Sequence, residues 1–135
     1  MDHVAVGPGG IWVIETKTWR IGKVRADRKK NVVKFDGARI LWPWWDDTKS
    51  VKQAVYNAKW IEEWLQKLTE KEFNVSVLIA IPGYEVEVTG KGGVRVEDPQ
   101  DIPESLIGYG KTLLSPEDIK TIRLQLAEKC RDVEY

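Results

Sequence analysis

The chain has 135 residues, the size of one domain, and its 21 basic and 21 acidic side chains cancel. This balance excludes a binder that works by bulk positive charge alone. One cysteine (Cys130) and one histidine (His3) exclude an intrachain disulfide and a zinc site built from several Cys or His side chains. We therefore expect a single domain, residues 1–135, in a reducing, cytoplasmic setting, with no membrane segment.

The chain opens with the pattern of a β-hairpin. Two apolar, β-branched runs, residues 2–6 and 11–17, flank a Gly-Pro-Gly-Gly turn at residues 7–10. If the turn is centred on Pro8-Gly9, the residues that face each other across the hairpin have numbers that sum to 17. Asp2 then faces Glu15. Lys17 shares their side of the sheet because strand side chains alternate.

This register brings two carboxylates together beside an ammonium group. Adjacent carboxylates repel unless a cation lies between them. Oxygen-only ligation by Asp2 and Glu15 favours Mg²⁺ or Mn²⁺ over zinc, and such a metal activates water and offsets charge growing on phosphorus. Lys17 then orients the water or stabilises the transition state. An ordinary strand-surface pair of Glu15 and Lys17 is the alternative.

The next segment, residues 18–34, holds seven cations and one anion, a net charge of +6. Residues 22–28 and 32–35 alternate about Lys29-Lys30-Asn31 and predict a second hairpin. The charges indicate either a sheet edge protected by Lys and Arg or a flank that contacts nucleic-acid phosphates. In the second interpretation the contacting side chains are Arg20, Lys23, Arg25, Arg28, Lys29 and Lys30.

Asp36-Gly37 predicts a turn, and the proline in Trp42-Pro43-Trp44-Trp45 predicts a loop or an edge segment. A helix follows, because Ser50 and Gln53 have the spacing of a capping box and helical periodicity continues to about residue 68 or 70. Its predicted apolar face consists of Ala54, Ala58, Ile61, Leu65 and Leu68.

A second line of side chains runs along the same helix. Gln53, Asn57, Trp60 and Trp64 follow one another at spacings of 4, 3 and 4. Two carboxamides and two indoles in single file are not needed for burial alone, which favours a role in a site. The alternative is that Gln53 caps the helix and the tryptophans belong to the core.

The remaining pattern completes an α/β domain. Residues 73–81 predict a buried strand, residues 84–88 and 94–96 a short hairpin, and residues 103–109 one or two helical turns. A helix begins at Ser115-Pro116, with its apolar face at Ile119, Ile122, Leu126 and Cys130. The order indicates a mixed β-sheet with flanking helices, in which residues 98–135 form a C-terminal helical extension.

Residues 2–6 (DHVAV) and 9–17 (GGIWVIETK) resemble the central signature of the nuclease-related domain (NERD) family. Gln53-Ala54, with Asn57 one turn later, resembles that family's downstream helix. The resemblance covers roughly residues 2–97. It implies membership of the PD-(D/E)XK, restriction-endonuclease-like superfamily, and with it metal-dependent cleavage of phosphodiester bonds in DNA.

The resemblance also implies a role for each matching residue. Asp2 and Glu15 match the two metal carboxylates, and the main-chain carbonyl of Thr16 matches a further metal ligand. Lys17 matches the catalytic lysine and Gln53 the helix glutamine near the site. Mg²⁺ or Mn²⁺ is the implied cofactor and DNA the implied partner, contacted by Asn57 and the basic segment.

The superfamily core is ordered αβββαβ, and the chain starts inside its second strand. We therefore expect a core truncated at the N-terminus, in which another segment or a second subunit fills the gap. A lost edge strand exposes a pairing edge, which predicts a homodimer. Two other functions stay open: a non-catalytic DNA-binding module, and a protein-interaction domain that uses exposed tryptophans of the loop 42–45.

Overall fold

The computed structural model describes residues 3–18, 22–101 and 114–131. Within them the chain forms an α/β fold with two mixed sheets, consistent with the restriction-endonuclease-like core that was expected. The predictions for Asp2, Arg20 and residues 103–109 lie outside the described residues. The elements in chain order are β1 (His3–Gly7), β2 (Gly10–Thr16), β3 (Val32–Phe35), β4 (Ile40–Leu41), β5 (Asp46–Asp47), α1 (Ser50–Thr69), β6 (Val75–Ala80), β7 (Glu85–Val88), β8 (Val94–Glu97), a 3-10 turn (Pro99–Asp101) and α2 (Pro116–Arg131).

The first sheet has the order β1-β2-β6-β8, with β2 and β6 inside. β1 is antiparallel to β2, whereas β2, β6 and β8 run parallel. Val4 opposes Val13 and Val6 opposes Ile11, so the predicted hairpin register is confirmed for the described strands. β1 is an outer strand of this sheet as described, and the homodimer through an unpaired edge stays a prediction.

The second sheet has the order β5-β4-β3-β7 and corrects the second predicted hairpin. β3 pairs antiparallel with β4 and parallel with β7, and residues 22–28 form no strand. Instead, the Arg25 amide and the Arg28 guanidinium donate to carbonyl oxygens of the loop 42–45, at 2.9 and 2.6 Å. Because that loop supplies their acceptors, the segment packs against it and does not pair with β3.

Asp36 closes the predicted turn, which joins β3 to β4. Its Oδ1 accepts hydrogen bonds from the amides of Ala38 and Arg39 at 3.0 and 2.6 Å, and its Oδ2 accepts from Nε of Arg39 at 2.8 Å. These bonds favour the ionised carboxyl and lower the pKa of Asp36 to about 2. The ionised side chain thereby holds the turn closed.

β7 and β8 connect the two sheets and do not pair with each other, so the short hairpin predicted there is wrong. β7 lies beside β3 in the second sheet, and β8 lies beside β6 in the first. The link between them crosses the β3–β4 turn at very close range. A Cβ on Gly90 would lie 2.0 Å from the carbonyl oxygen of Asp36, and one on Gly37 would lie 2.5 Å from that of Lys91. Glycine allows this contact between the backbones.

α1 packs its apolar side onto the first sheet. Its residues in the core are Val51, Ala54, Ala58, Ile61 and Leu65. Leu68, predicted on the same side, is exposed. The helix ends at Glu70, which adopts a left-handed conformation with φ of 58°, close to the predicted end.

The start of α1 is held by Asp47 and not by the predicted capping box. The buried Oδ1 of Asp47 accepts from the amides of Lys49 and Ser50, both at 3.0 Å, and its Oδ2 accepts from the Ser50 hydroxyl. Lys49, the N-cap residue, makes no side-chain capping bond. The side-chain amide of Gln53 is directed elsewhere, as described below.

α2 lies on the same side of the first sheet as α1, and its Ile122 is fully buried in the same core cluster. It begins at Pro116, as predicted, and Ser115 caps it, because the Ser115 Oγ accepts from the Asp118 amide at 3.1 Å. Nζ of Lys71, just after α1, lies 3.4 Å from the Asp118 carboxylate. No helix in the described ranges is long and apolar enough to cross a membrane.

Candidate active site

Glu15 lies at the carboxyl end of β2, on the side of the sheet that packs against α1. Ile11 and Val13, four and two residues earlier, belong to the core cluster shared with α1, and side-chain alternation places Glu15 in line with them. Glu15 is only 5% exposed. A carboxylate this deeply buried requires hydrogen bonds or a cation to compensate for lost hydration.

Asn57 and Gln53 of α1 form a chain of hydrogen bonds that reaches Glu15. Nδ2 of Asn57 donates to Oε1 of Glu15 at 3.2 Å, and Nε2 of Gln53 donates to Oδ1 of Asn57 at 3.2 Å. The two carboxamides are one helical turn apart, which lets them meet. The structure thus brings together three residues that the sequence indicated, and the chain runs from the exposed Gln53 to the buried carboxylate.

Thr16 and Lys17 continue β2 beyond Glu15. The Lys17 amide donates to the carbonyl of Ala80 at 2.9 Å, so the main-chain groups of Lys17 face β6. Since main-chain groups of successive strand residues face opposite neighbours, the carbonyl of Thr16 faces the β1 side. Lys17 is half-buried, and alternation puts its side chain on the same side as Glu15.

The pairing of Asp2 with Glu15 stays a prediction, because Asp2 lies outside the described residues. In the observed pairing of residues 3–7, the numbers of opposed residues sum to 17, which is the register from which the pairing of Asp2 with Glu15 was predicted. Within the described ranges, no cluster of three His, Cys, Asp or Glu side chains could hold a metal ion. The Glu15 carboxylate and the Thr16 carbonyl are oxygen donors, which fit Mg²⁺ or Mn²⁺, and the predicted ligand set needs Asp2 as well.

Two tryptophans extend the line of carboxamides along α1. The rings of Trp60 and Trp64 are stacked, with centroids 6.1 Å apart and planes 12° apart. Trp64 is half-buried against the core, but Trp60 is 42% exposed. Nζ of Lys129 lies 5.7 Å from the centroid of Trp60. The alternative that both tryptophans are core residues therefore holds only for Trp64.

Sequence analysis missed Tyr56, which is 65% exposed and lies one helical turn before Trp60. Lys52 and Lys59, also exposed, flank it on α1 and were missed too. Their spacing is typical of one helix face and was available in the sequence. Only the exposure of the aromatic rings, which depends on the tertiary structure, distinguishes them from core residues.

The structure divides the basic segment into anchored and exposed side chains. Nη2 of Arg28 lies 2.6 Å from Oδ1 of Asp46, and Nη1 of Arg25 lies 3.6 Å from the same oxygen. With its bond to the loop carbonyl, the half-buried Arg28 anchors the loop, and its contact with a phosphate stays a prediction. Of the cations predicted to contact nucleic acid, those that the structure shows exposed are Lys23, Arg25, Lys29 and Lys30.

The tryptophans of the loop 42–45 are packed and not exposed. Trp42 is completely buried, with its ring centroid 5.6 Å from Trp44 and 5.4 Å from Tyr84. Trp44 and Trp45 are half-buried against the same core. The segment is a loop, as predicted, but the protein-interaction interpretation relied on exposed tryptophans, and that premise is wrong.

A family model described as the nuclease-related domain matches residues 1–82, more than half of the chain. The matched range contains Glu15, Lys17, Gln53 and Asn57. A comparison with curated proteins and a comparison with solved structures find no match.

Proposed function

The chain belongs to the nuclease-related domain family, of the PD-(D/E)XK superfamily, and we propose that it hydrolyses phosphodiester bonds in DNA with Mg²⁺ or Mn²⁺. The observation that carries this proposal is the buried Glu15 carboxylate, bonded to α1 through Asn57. A buried anion at the end of a strand provides a place for a cation. Asp2 and the carbonyl of Thr16 are its proposed further ligands.

Each group in the site has a proposed task. When bound, the divalent cation supplies positive charge that offsets the negative charge growing on the phosphoryl oxygens. Lys17, on the same side of the sheet, orients the attacking water and stabilises the transition state.

The carboxamides position Glu15. Because Oδ1 of Asn57 accepts from Gln53, its Nδ2 is directed to Glu15, and the orientation of the amide is fixed from both ends. This holds Oε1 of Glu15 from the side of α1.

Glu15→Gln tests the proposal, because it removes the negative charge and keeps the shape of the side chain. We expect nicking of supercoiled DNA in Mg²⁺ or Mn²⁺ to fall on the order of 100-fold or more, as for loss of a group that acts directly in catalysis. Wild-type nicking is expected to stop when EDTA removes the metal.

Glu85→Gln provides the matched control. Glu85 is an exposed residue at the start of β7, in the second sheet, and the substitution makes the same chemical change there. We expect it to nick DNA at the wild-type rate. A folded Glu15→Gln protein that nicked as fast as wild type would overturn the proposed activity.

A non-catalytic DNA-binding module is the second candidate, favoured by the exposed lysines and aromatic rings of α1. It requires salt-sensitive DNA binding without a metal and no cleavage products. The nicking assay separates the two candidates, because only the nuclease depends on both Glu15 and the divalent cation.

A further inference from the structure

The first three turns of α1 present an exposed surface of unusual composition. We call it the α1 platform and define it by its exposed residues Lys52, Gln53, Tyr56, Lys59 and Trp60. Tyr56 and Trp60 are among the most exposed large apolar side chains in the described ranges. They lie four residues apart, so their rings occupy the same face of the helix.

The position of Trp60 is fixed by its neighbours. Its ring lies against that of Trp64, which is anchored in the core, and Lys129 of α2 brings an ammonium group to 5.7 Å from its centroid. An indole fixed in this way retains a solvent-facing surface while losing little conformational freedom on binding. Trp60 stays 42% exposed in this position, which leaves part of its surface for contact with a base.

The charge of the platform is entirely positive. From Ser50 to Ile61 the helix contains no Asp or Glu, and its first two acidic residues, Glu62 and Glu63, follow immediately. Oε2 of Glu62 accepts from the Val75 amide at 3.2 Å, which directs this carboxylate toward β6. Glu63 is exposed one turn beyond Lys59 on the same face, and it marks the end of the positive surface.

The platform is continuous with the Glu15 site. At about 100° per residue, the helix places Asn57, Gln53, Trp60 and Tyr56 in that order around its circumference, followed by the two lysines. Asn57 contacts Glu15 directly, and Gln53 contacts Asn57. A strand of nucleic acid lying across the platform would therefore pass beside the buried carboxylate.

We propose that the α1 platform binds single-stranded nucleic acid, with unpaired bases stacked on Tyr56 and Trp60 and phosphates near Lys52 and Lys59. Resting on the proposed nuclease function, this inference specifies a substrate that is unpaired beside the scissile phosphate. Single strands fit better than duplexes because stacking requires an open base face, which paired and stacked bases do not offer. Aromatic rings interleaved with cations are the general solution for such strands.

The test is binding in EDTA, which measures the platform without cleavage. Fluorescence anisotropy of a labelled oligonucleotide of about 12 nucleotides, within the usual range of site sizes, is compared with the same sequence as a duplex. Wild type is expected to prefer the single strand. Trp60→Ala and Tyr56→Ala should each weaken single-strand binding roughly 5- to 150-fold, the range for loss of one stacked base.

Two variants control for folding and for lost apolar area. Trp60→Phe keeps an aromatic ring and should retain most of the affinity. It keeps the test usable if Trp60→Ala proves unstable. Leu68→Ala removes an exposed apolar side chain from the last turns of the same helix and should bind like wild type. Circular dichroism checks that each variant is folded.

Three results would overturn the platform. The first is single-strand binding by both alanine variants within roughly twofold of wild type, and the second is equal affinity of the wild type for the duplex and the single strand. The third is a loss of self-association in sedimentation when either residue is changed to alanine. The last result would make the surface an interface between copies. Glu15-dependent cleavage with unaffected binding by both alanine variants would overturn the platform alone. Trp60-dependent binding without Glu15-dependent cleavage would uphold it and overturn the nuclease proposal.

Discussion

Asn57 is the residue on which the geometry of the candidate site depends. It is half-buried, donates to Glu15 and accepts from Gln53, each at 3.2 Å. A carboxamide can perform both tasks at once because it has a donor and an acceptor at its two ends. An ionised carboxylate in its place could only accept, and would be an anion beside an anion.

We predict that Asn57→Asp destabilises the protein at neutral pH by about 1.5–3 kcal/mol, the contribution of a hydrogen bond to a charged group. Two adjacent carboxylates raise the pKa of one of them, so the folded state takes up a proton more readily than the unfolded chain. The loss of stability is therefore largest at high pH and decreases as the pH falls. Urea unfolding at a series of pH values measures it.

Asn31→Asp is the control for this prediction. Asn31 is exposed just before β3, and the substitution adds the same charge away from the site. Its free energy of unfolding is expected to stay close to that of wild type across the pH series. Equal pH dependence in the two variants would show that Asn57 does not face a charged Glu15.

Glu15, Gln53 and Asn57 could be predicted because each follows from a local period. A two-residue period places Glu15 on the helix side of β2, and the 3.6-residue period of α1 aligns the carboxamides. The roles of Arg28 and Asp46 could not be predicted, because their ion pair joins an irregular segment to a strand of two residues, which is too short to show a period.

At the scale of elements, α1 shows where a local motif competes with a tertiary contact. The Ser50–Gln53 spacing of a capping box is present, but Asp47, at the end of β5, takes the helix-start amides. Gln53 is therefore available to Asn57. The acceptor for the helix start comes from the second sheet, whereas Asn57, the donor to Glu15, lies on the helix itself.

We predict that Asp47→Ala lowers the free energy of unfolding by about 1–3 kcal/mol, because it leaves the helix-start donors buried without their acceptor. Thermal unfolding followed by circular dichroism measures this. Lys49→Ala is the control, because Lys49 occupies the N-cap position and its exposed side chain makes no capping bond. If both variants unfolded at the same temperature, Asp47 would not be the group that holds the helix start.

The elements that could be predicted best from the sequence are those with one or both sides buried. β2, β6 and α1 were placed within a few residues because burial imposes a continuous apolar run or a periodic one. Residues 22–28 and the β7–β8 link were misassigned for another reason. Alternation identifies a strand, but it does not identify which strand is its neighbour, and β7 and β8 found theirs in different sheets.

At the scale of the whole molecule, the two sheets meet where the β7–β8 link crosses the β3–β4 turn. Gly37 and Gly90 bring the two backbones into contact there. This crossing fixes β8 beside β6, and β6 in turn is the parallel neighbour of β2, which carries Glu15. The candidate site thus depends on a contact that lies in another part of the fold and contains none of its residues.

We predict that Gly90→Ala lowers the free energy of unfolding by about 1–3 kcal/mol or more, as expected for overpacking against a backbone that cannot move aside. Gly93→Ala, three residues later in the same link, meets no atom within 4 Å. Neither glycine has a positive φ, so the two substitutions differ in available space and not in backbone strain. Gly93→Ala should leave the free energy of unfolding unchanged or raise it by up to about 1 kcal/mol, because alanine lowers the conformational entropy of the unfolded chain. Urea midpoints measure both, and coincident midpoints would mean that the two backbones do not touch at this crossing.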